Sequence, residues 1–163
     1  MKQNITVLNS CVGFLVVTLL MQSGCASGPR FTAAPQPASG KALVYLYRKS
    51  SFVGGAGYDK IYANNDYLGD LYSGGYCTIE VPAGTNAFFI MPRASWIAPL
   101  YVSLPTNLQN QKYEKLRFEA EAGKTYYVNV YVAFTGHAMK LVDETLGAKE
   151  ISKVKLSKTG KGN

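Results

Sequence analysis

The sequence has few of the residues that most often carry catalysis. Its 163 residues include one histidine, one tryptophan and three cysteines. A zinc site at His137 would need carboxylates or Cys77 around it, and no ligand spacing of that kind is present. A serine triad would use the same histidine, but the chain lacks a Gly-x-Ser-x-Gly turn. The sequence therefore predicts no catalytic residues, no metal site and no cofactor.

The first residues have the layout of a bacterial lipoprotein signal peptide. A cationic start at Lys2 precedes a long apolar run, which is followed by Ser23-Gly24-Cys25. Small residues before a cysteine admit a peptidase, and the Cys25 thiolate can accept a diacylglycerol group. We predict a signal peptide over residues 1–24 and a mature chain that begins at Cys25, carrying diacylglycerol and an N-acyl chain such as palmitate.

Two features of this segment leave alternatives open. Gln22 stands three positions before the cysteine, where leucine is usual, and the apolar run Val12–Met21 is short for a membrane helix of about 20 residues. An ordinary signal peptide and a retained anchor helix are the alternatives to lipidation. By resemblance to the sorting rule of bacterial lipoproteins, Ala26 in place of aspartate favours the outer membrane, with the protein facing the periplasm.

Composition divides the rest of the chain. Residues 25–40 are rich in Pro, Ala, Ser and Gly, which predicts a flexible tether. Residues 41–155 are long enough for one hydrophobic core. From Cys25 onward the chain has 16 Lys and Arg and 10 Asp and Glu, which gives a net charge of +6. The basic tail over 156–163 carries part of this excess. We expect a solvated tail, with contact to anionic headgroups or cell-wall polymers as the alternative, and no nucleic-acid partner.

Short segments separated by turn signals predict an all-β fold. The predicted strands cover residues 42–48, 58–63, 67–72, 76–81, 86–91, 115–120 and 125–132. Asn64-Asn65-Asp66 and Pro82-Ala-Gly-Thr85 provide tight turns between them. We predict an antiparallel β-sandwich with a long inserted loop and a short C-terminal helical segment over 143–153.

Cysteine usage agrees with export and requires no disulfide. Cys11 leaves with the signal peptide and Cys25 is acylated, so Cys77 has no intramolecular partner. Cys77 alternates with Ile79 and Val81 on one face of a predicted strand. We expect it to be a small buried hydrophobic side chain.

Several motifs in order along the chain resemble the DUF2846 family of bacterial lipoproteins. They are Lys41–Arg48, Leu68–Leu71 with Gly75-Tyr76, Val81–Gly84, Ala122–Tyr127 and Val142–Gly147. The central part, Tyr62 to Gly84, also resembles the short PEGA-type surface repeat. The resemblance implies an exported β-sandwich of unassigned function, with no established catalytic residues.

A long connection between two predicted strands holds the only tryptophan. Residues 92–113 form a long connection, and connections of such length are usually functional or disordered. We favour an extra strand over 100–104 with Trp96 packed as a lid on the core. The alternative is a binding edge built on Trp96 and Tyr101.

The twelve tyrosines indicate a second candidate surface. The two-residue period places Tyr127 and Tyr131 opposite the apolar positions of one strand, and Tyr45 and Tyr47 opposite those of another. If the apolar positions face the core, these four side chains form an outward aromatic patch, which suits a partly wet binding surface. The alternative, which we favour, is that a helix or loop covers this face or that the rings are ordinary cross-strand pairs.

Two classes of function follow. We predict an exported, lipid-anchored envelope protein that is a non-catalytic binding or assembly module, held on the membrane by its anchor and engaging an envelope protein or a cell-wall polymer. The alternative is an envelope enzyme or small-ligand carrier with a pocket near His137, Asp143 and Glu144. Neighbouring residues on a strand point to opposite faces, so Asp143 and Glu144 form a weak carboxylate pair.

Overall fold

A computed structural model describes residues 26–32, 35–51, 57–64, 66–92, 113–134 and 136–157. Within these residues the secondary structure is almost entirely β. The strands are β1 (Lys41–Arg48), β2 (Tyr58–Ala63), β3 (Asp66–Tyr72), β4 (Gly75–Pro82), β5 (Gly84–Pro92), β6 (Glu114–Ala120), β7 (Thr125–Ala133), β8 (Gly136–Val142) and β9 (Lys155–Leu156). A short helix, α1 (Glu144–Ile151), follows β8.

The strands form two sheets, as the sequence predicts. The first has the order β8-β7-β1-β4-β9 and the second the order β3-β2-β5-β6. Most neighbours are antiparallel, but β1 pairs with β7 in parallel, and so does β4 with β9. The parallel pairs arise because the chain passes through the second sheet, or through α1, before it returns, so no hairpin dictates the strand direction.

Two strands are absent from the sequence predictions. The β8 sequence, Gly-His-Ala-Met-Lys-Leu-Val, contains mostly residues with low β-propensity, and along it Met139 is the buried position. Full-length pairing with β7 forms it. Strand β9 has only two residues, too few to show a period.

The core between the sheets follows the predicted alternation. It is built from alternate residues of both sheets, among them Val44, Leu46, Ile61, Phe88, Ile90, Val128 and Val130. Cys77 belongs to this core with 1% of its surface exposed, and burial raises the pKa of its thiol to about 12. The prediction of a small buried hydrophobic side chain at Cys77 is confirmed.

The predicted tether is docked over residues 26–32, which we call the N-terminal strap. The Ala26 N–H donates to the Ser73 carbonyl at 3.2 Å, and the Gly28 N–H donates to the Leu156 carbonyl at 3.1 Å. Phe31 packs edge-on against Tyr45, with ring centroids 5.1 Å apart. The prediction of a flexible tether is therefore wrong for residues 26–32. Their average composition is that of a linker, but the Phe31 ring and hydrogen bonds to an open strand edge hold them against the domain.

The C-terminal boundary also differs from the prediction. The Ser157 N–H donates to the Tyr76 carbonyl at 2.8 Å, and Ser157 is 2% exposed. The packed domain thus extends through residue 157, while residues 158–163 of the predicted tail lie outside the described part. No helix among the described residues is long and apolar enough to cross a membrane.

Candidate binding surface

The outward patch of four tyrosines, the less favoured of the two interpretations of this face, is wrong for three of them. Tyr45, Tyr47 and Tyr127 do point away from the main core, but they are 3%, 0% and 5% exposed. Together with Ile151 they form a second buried cluster. A covering helix, the alternative weighed for this face, is what buries them, and the N-terminal strap covers its other side through Phe31.

Helix α1 is fastened to this face by polar and steric fit. Its N-cap residue Asp143 accepts from the Leu146 N–H at 2.9 Å. The Tyr47 hydroxyl donates to Glu150 at 2.6 Å, and Lys49 Nζ lies 2.9 Å from the same carboxylate. These bonds hold the pKa of the Glu150 carboxyl below its usual range. The cluster therefore packs α1 against the first sheet and does not form a ligand surface.

The remaining residues of the predicted binding surface are not among the residues of this cluster. Tyr131 lies on β7 beyond the helix and is 41% exposed. Trp96 and Tyr101, with the proposed strand over 100–104, lie outside the described residues, as does Cys25.

A half-buried aromatic surface lies instead on the second sheet. In the register of β2 and β3, Tyr58 faces Tyr72, Lys60 faces Asp70, and Tyr62 faces Tyr67. The intervening β2 residues Asp59, Ile61 and Ala63 are buried, so these pairs point outward. None of the six residues is fully buried. We call them the tyrosine ladder: Tyr58, Lys60, Tyr62, Tyr67, Asp70 and Tyr72.

A β-bulge creates the ladder. Ile61 pairs with Gly69 and Tyr62 with Tyr67, so Leu68 is the extra residue of β3. Gly69 beside it has φ 144°, a backbone geometry that favours glycine. The bulge brings Tyr67 and Asp70 to one face although they are three residues apart. Strict alternation would instead place Tyr67 on the core side, which is why sequence patterning missed this surface.

The ladder presents paired rings with polar tips. Ring centroids are 5.1 Å apart in the Tyr58–Tyr72 pair and 5.2 Å apart in the Tyr62–Tyr67 pair. Lys60 Nζ lies 6.0 Å from the Tyr67 ring centroid, the outer limit of a cation–π contact. This surface can stack on flat groups and exchange hydrogen bonds with them.

One hydroxyl of the ladder is held in place. The Tyr67 hydroxyl donates to Asp70 Oδ1 at 2.5 Å. The Tyr67 pKa is raised above its ordinary value, mainly by burial of the hydroxyl and secondly by this hydrogen bond. The hydrogen bond fixes the orientation of the Tyr67 hydroxyl and of the Asp70 carboxylate relative to each other.

A polar cluster is buried where the two sheets meet at one end of the sandwich. Arg48 Nη1 lies 3.3 Å from Asp59 Oδ2, with side chains 3% and 1% exposed. His137 Nδ1 lies 2.6 Å from Asp59 Oδ1, but its N–H is not aligned for a hydrogen bond. The cluster joins β1, β2 and β8, which indicates a role in closing the sandwich.

The proposed enzyme pocket is not assembled by the fold. His137 is the second residue of β8, while Asp143 and Glu144 follow its far end. Six extended residues span about 20 Å, so these side chains lie at opposite ends of the strand. Across the described ranges, no group of three or more His, Cys, Asp or Glu side chains could hold a metal ion.

Comparison with known proteins matches the chain to a protein family. A family model described as "Protein of unknown function (DUF2846)" matches residues 38–143. No curated protein matches the chain. The matched region contains β1 to β8 with the tyrosine ladder, and the strap and α1 lie outside it.

Proposed function

We propose that this chain, which belongs to the DUF2846 family, is an exported, lipid-anchored protein of the bacterial envelope that acts as a non-catalytic binding module. Cys25 carries the lipid, and the domain faces the periplasm from the outer membrane. The signal-like segment before Cys25 supports export and acylation. The docking of Ala26 supports an anchor held directly against the domain.

The tyrosine ladder is the binding surface in this proposal. The observation that carries it is the outward placement of two tyrosine pairs in ring contact on either side of the Lys60–Asp70 pair. Tyrosines offer large contact area at low conformational cost and keep a polar tip for hydrogen bonds. Rings of this kind stack on the faces of pyranose sugars, so a cell-wall polymer is the ligand class that fits best. An envelope protein is the other ligand class.

The double substitution Tyr58→Ala and Tyr62→Ala tests this surface. We expect binding to purified peptidoglycan sacculi to fall at least tenfold, because two aromatic contacts each worth more than about 1 kcal/mol are lost. The measurement is co-sedimentation of the full-length protein with sacculi. Tyr131→Ala removes an exposed tyrosine outside the ladder and should bind like the wild type.

Two outcomes would count against the proposal. Unchanged binding by the double variant, with an unchanged far-UV circular dichroism spectrum, would remove the ladder from the site. A wild-type protein that does not sediment with sacculi would exclude the polymer, and a photo-crosslinking residue at position 62 would then test for a protein partner.

The enzyme or ligand-carrier alternative has less support. It requires His137, Asp143 and Glu144 to line one pocket, and β8 separates the first from the other two. A binding module requires only the outward-facing ladder.

A further inference from the structure

We propose that the tip of the β7–β8 hairpin inserts into the surface of the lipid bilayer and fixes the orientation of the domain on the membrane. The hairpin tip is formed by Tyr131, Val132 and Phe134. The proposal rests on lipid attachment at Cys25, which is part of the proposed function.

The tip carries exposed apolar side chains on both of its faces, although His137 pairs with Val132 across the hairpin. Tyr131, Val132 and Phe134 are 41%, 40% and 107% exposed, so Phe134 projects its whole side chain into solvent. Exposed hydrophobic residues scattered singly are normal, but a cluster marks an interaction site. Tyr131 and Val132 lie on opposite faces of β7. A bilayer surrounds an inserted tip on both faces, so exposed apolar side chains on both faces fit insertion.

The charge of the hairpin also fits a lipid surface. From Thr125 to Val142 the chain contains no Asp or Glu, and its charged side chain is Lys140. Aromatic rings such as those of Tyr131 and Phe134 suit the headgroup level of a bilayer, where an apolar ring meets a wet boundary. No carboxylate of this hairpin would have to be desolvated there.

The tip and Ala26, the residue that follows the proposed attachment site, lie at the same end of the first sheet. β1 ends at Arg48 opposite Gly75, and the Ala26 N–H binds the nearby Ser73 carbonyl. Because β7 runs parallel to β1, its last residue is at this end too. Cys25 precedes Ala26 by one peptide bond, a Cα spacing of about 3.8 Å. Acyl chains on Cys25 would therefore start one residue from a segment docked at the same end of the sheet as the tip, rather than at the end of a long tether.

Exposed cations stand at the same end. Lys155 of β9 pairs with Gly75 of β4, and Arg30 of the strap forms a backbone β-bridge with Lys155. Both residues are exposed. Basic side chains close to a bilayer are attracted to anionic headgroups, which adds to the pull of the acyl chains. This end of the first sheet therefore combines the strap that follows the proposed anchor, the apolar tip of a hairpin without acidic residues, and two exposed cations.

Fluorescence quenching by brominated lipids tests the contact. Phe134→Trp places a reporter at the tip, and Leu146→Trp places one on α1, whose residue 146 is also 41% exposed. The full-length acylated proteins are reconstituted into phosphatidylethanolamine and phosphatidylglycerol vesicles with acyl chains brominated near the headgroup. The wild-type signal from Trp96 is subtracted. We expect loss of the Phe134→Trp emission and no change in the Leu146→Trp emission.

The outcomes separate this proposal from the proposed function. Equal, weak quenching of both reporters in protein whose intact mass shows acylation would overturn the membrane contact and leave the anchor standing. Unquenched but blue-shifted Phe134→Trp emission would report burial against protein, a second copy included, and would also overturn it. A chain that intact mass shows to be unacylated would overturn the anchor and the tip contact together.

Discussion

Replacement of Asp59 by asparagine is expected to lower the free energy of unfolding by about 3–5 kcal/mol, the typical cost of removing one partner from a buried ion pair. The Asp59 carboxylate contacts Arg48 of the first sheet from the second, and both side chains are almost fully buried. The amide keeps the shape of the side chain but removes the counter-charge of the buried Arg48 guanidinium. Urea unfolding of the full-length protein measures the change.

An exposed ion pair provides the control. Glu114 binds Arg117 through two hydrogen bonds, but the Arg117 side chain is 56% exposed. Glu114→Gln should therefore cost no more than about 1 kcal/mol. The combined change Arg48→Met and Asp59→Leu should recover much of the loss, since an apolar pair can replace a buried ion pair. A cost below about 1 kcal/mol for Asp59→Asn would show that the cluster does not hold the sheets together.

Substitution of Gly147 by valine should release α1 from the first sheet. A Cβ at this position would overlap Cβ and Cγ of Tyr127, a buried strand residue. The strand cannot yield, so the helix must move, and its movement would break the Tyr47–Glu150 hydrogen bond and expose Ile151. We expect a loss of about 3 kcal/mol in the free energy of unfolding, at the upper end of the range for overpacking, and faster proteolysis within residues 144–151.

The matched control places the same residue elsewhere in the same helix. Thr145 is exposed, and Thr145→Val places the same valine in the helix by exchanging a hydroxyl for a methyl group, with almost no change in volume. The free energy of unfolding should change by less than about 0.5 kcal/mol. Equal stability of the two variants would mean that contact between α1 and Tyr127 is not tight.

The fold class and most strands could be predicted because turn residues and two-residue periods mark them. The seven predicted strands correspond to β1 to β7, and the helical segment over 143–153 contains α1. The β8 strand was missed because its residues have weak β-propensity and tertiary pairing overrides propensity. The strap was missed because composition averages over a segment, while Phe31 binds through one specific ring contact.

The candidate surface was predicted less well, for two physical reasons. Alternation correctly placed Tyr45 and Tyr127 away from the main core, but it says nothing about what packs on the other face, and α1 does so. The ladder depends on the bulge at Leu68, which reverses the alternation after Tyr67. A signal for that bulge is present in the sequence as Gly69 within a strand pattern.

The proposed export-dependent lipid anchor at Cys25 is tested most directly by intact-mass analysis of protein extracted from bacterial membranes, combined with separation of inner and outer membranes. We predict a chain that begins at Cys25 with diacylglycerol and N-acyl groups in the outer-membrane fraction, and loss of both the lipid mass and the membrane association in Cys25→Ala. An unmodified wild-type chain, either soluble or still beginning at Met1, would contradict the account.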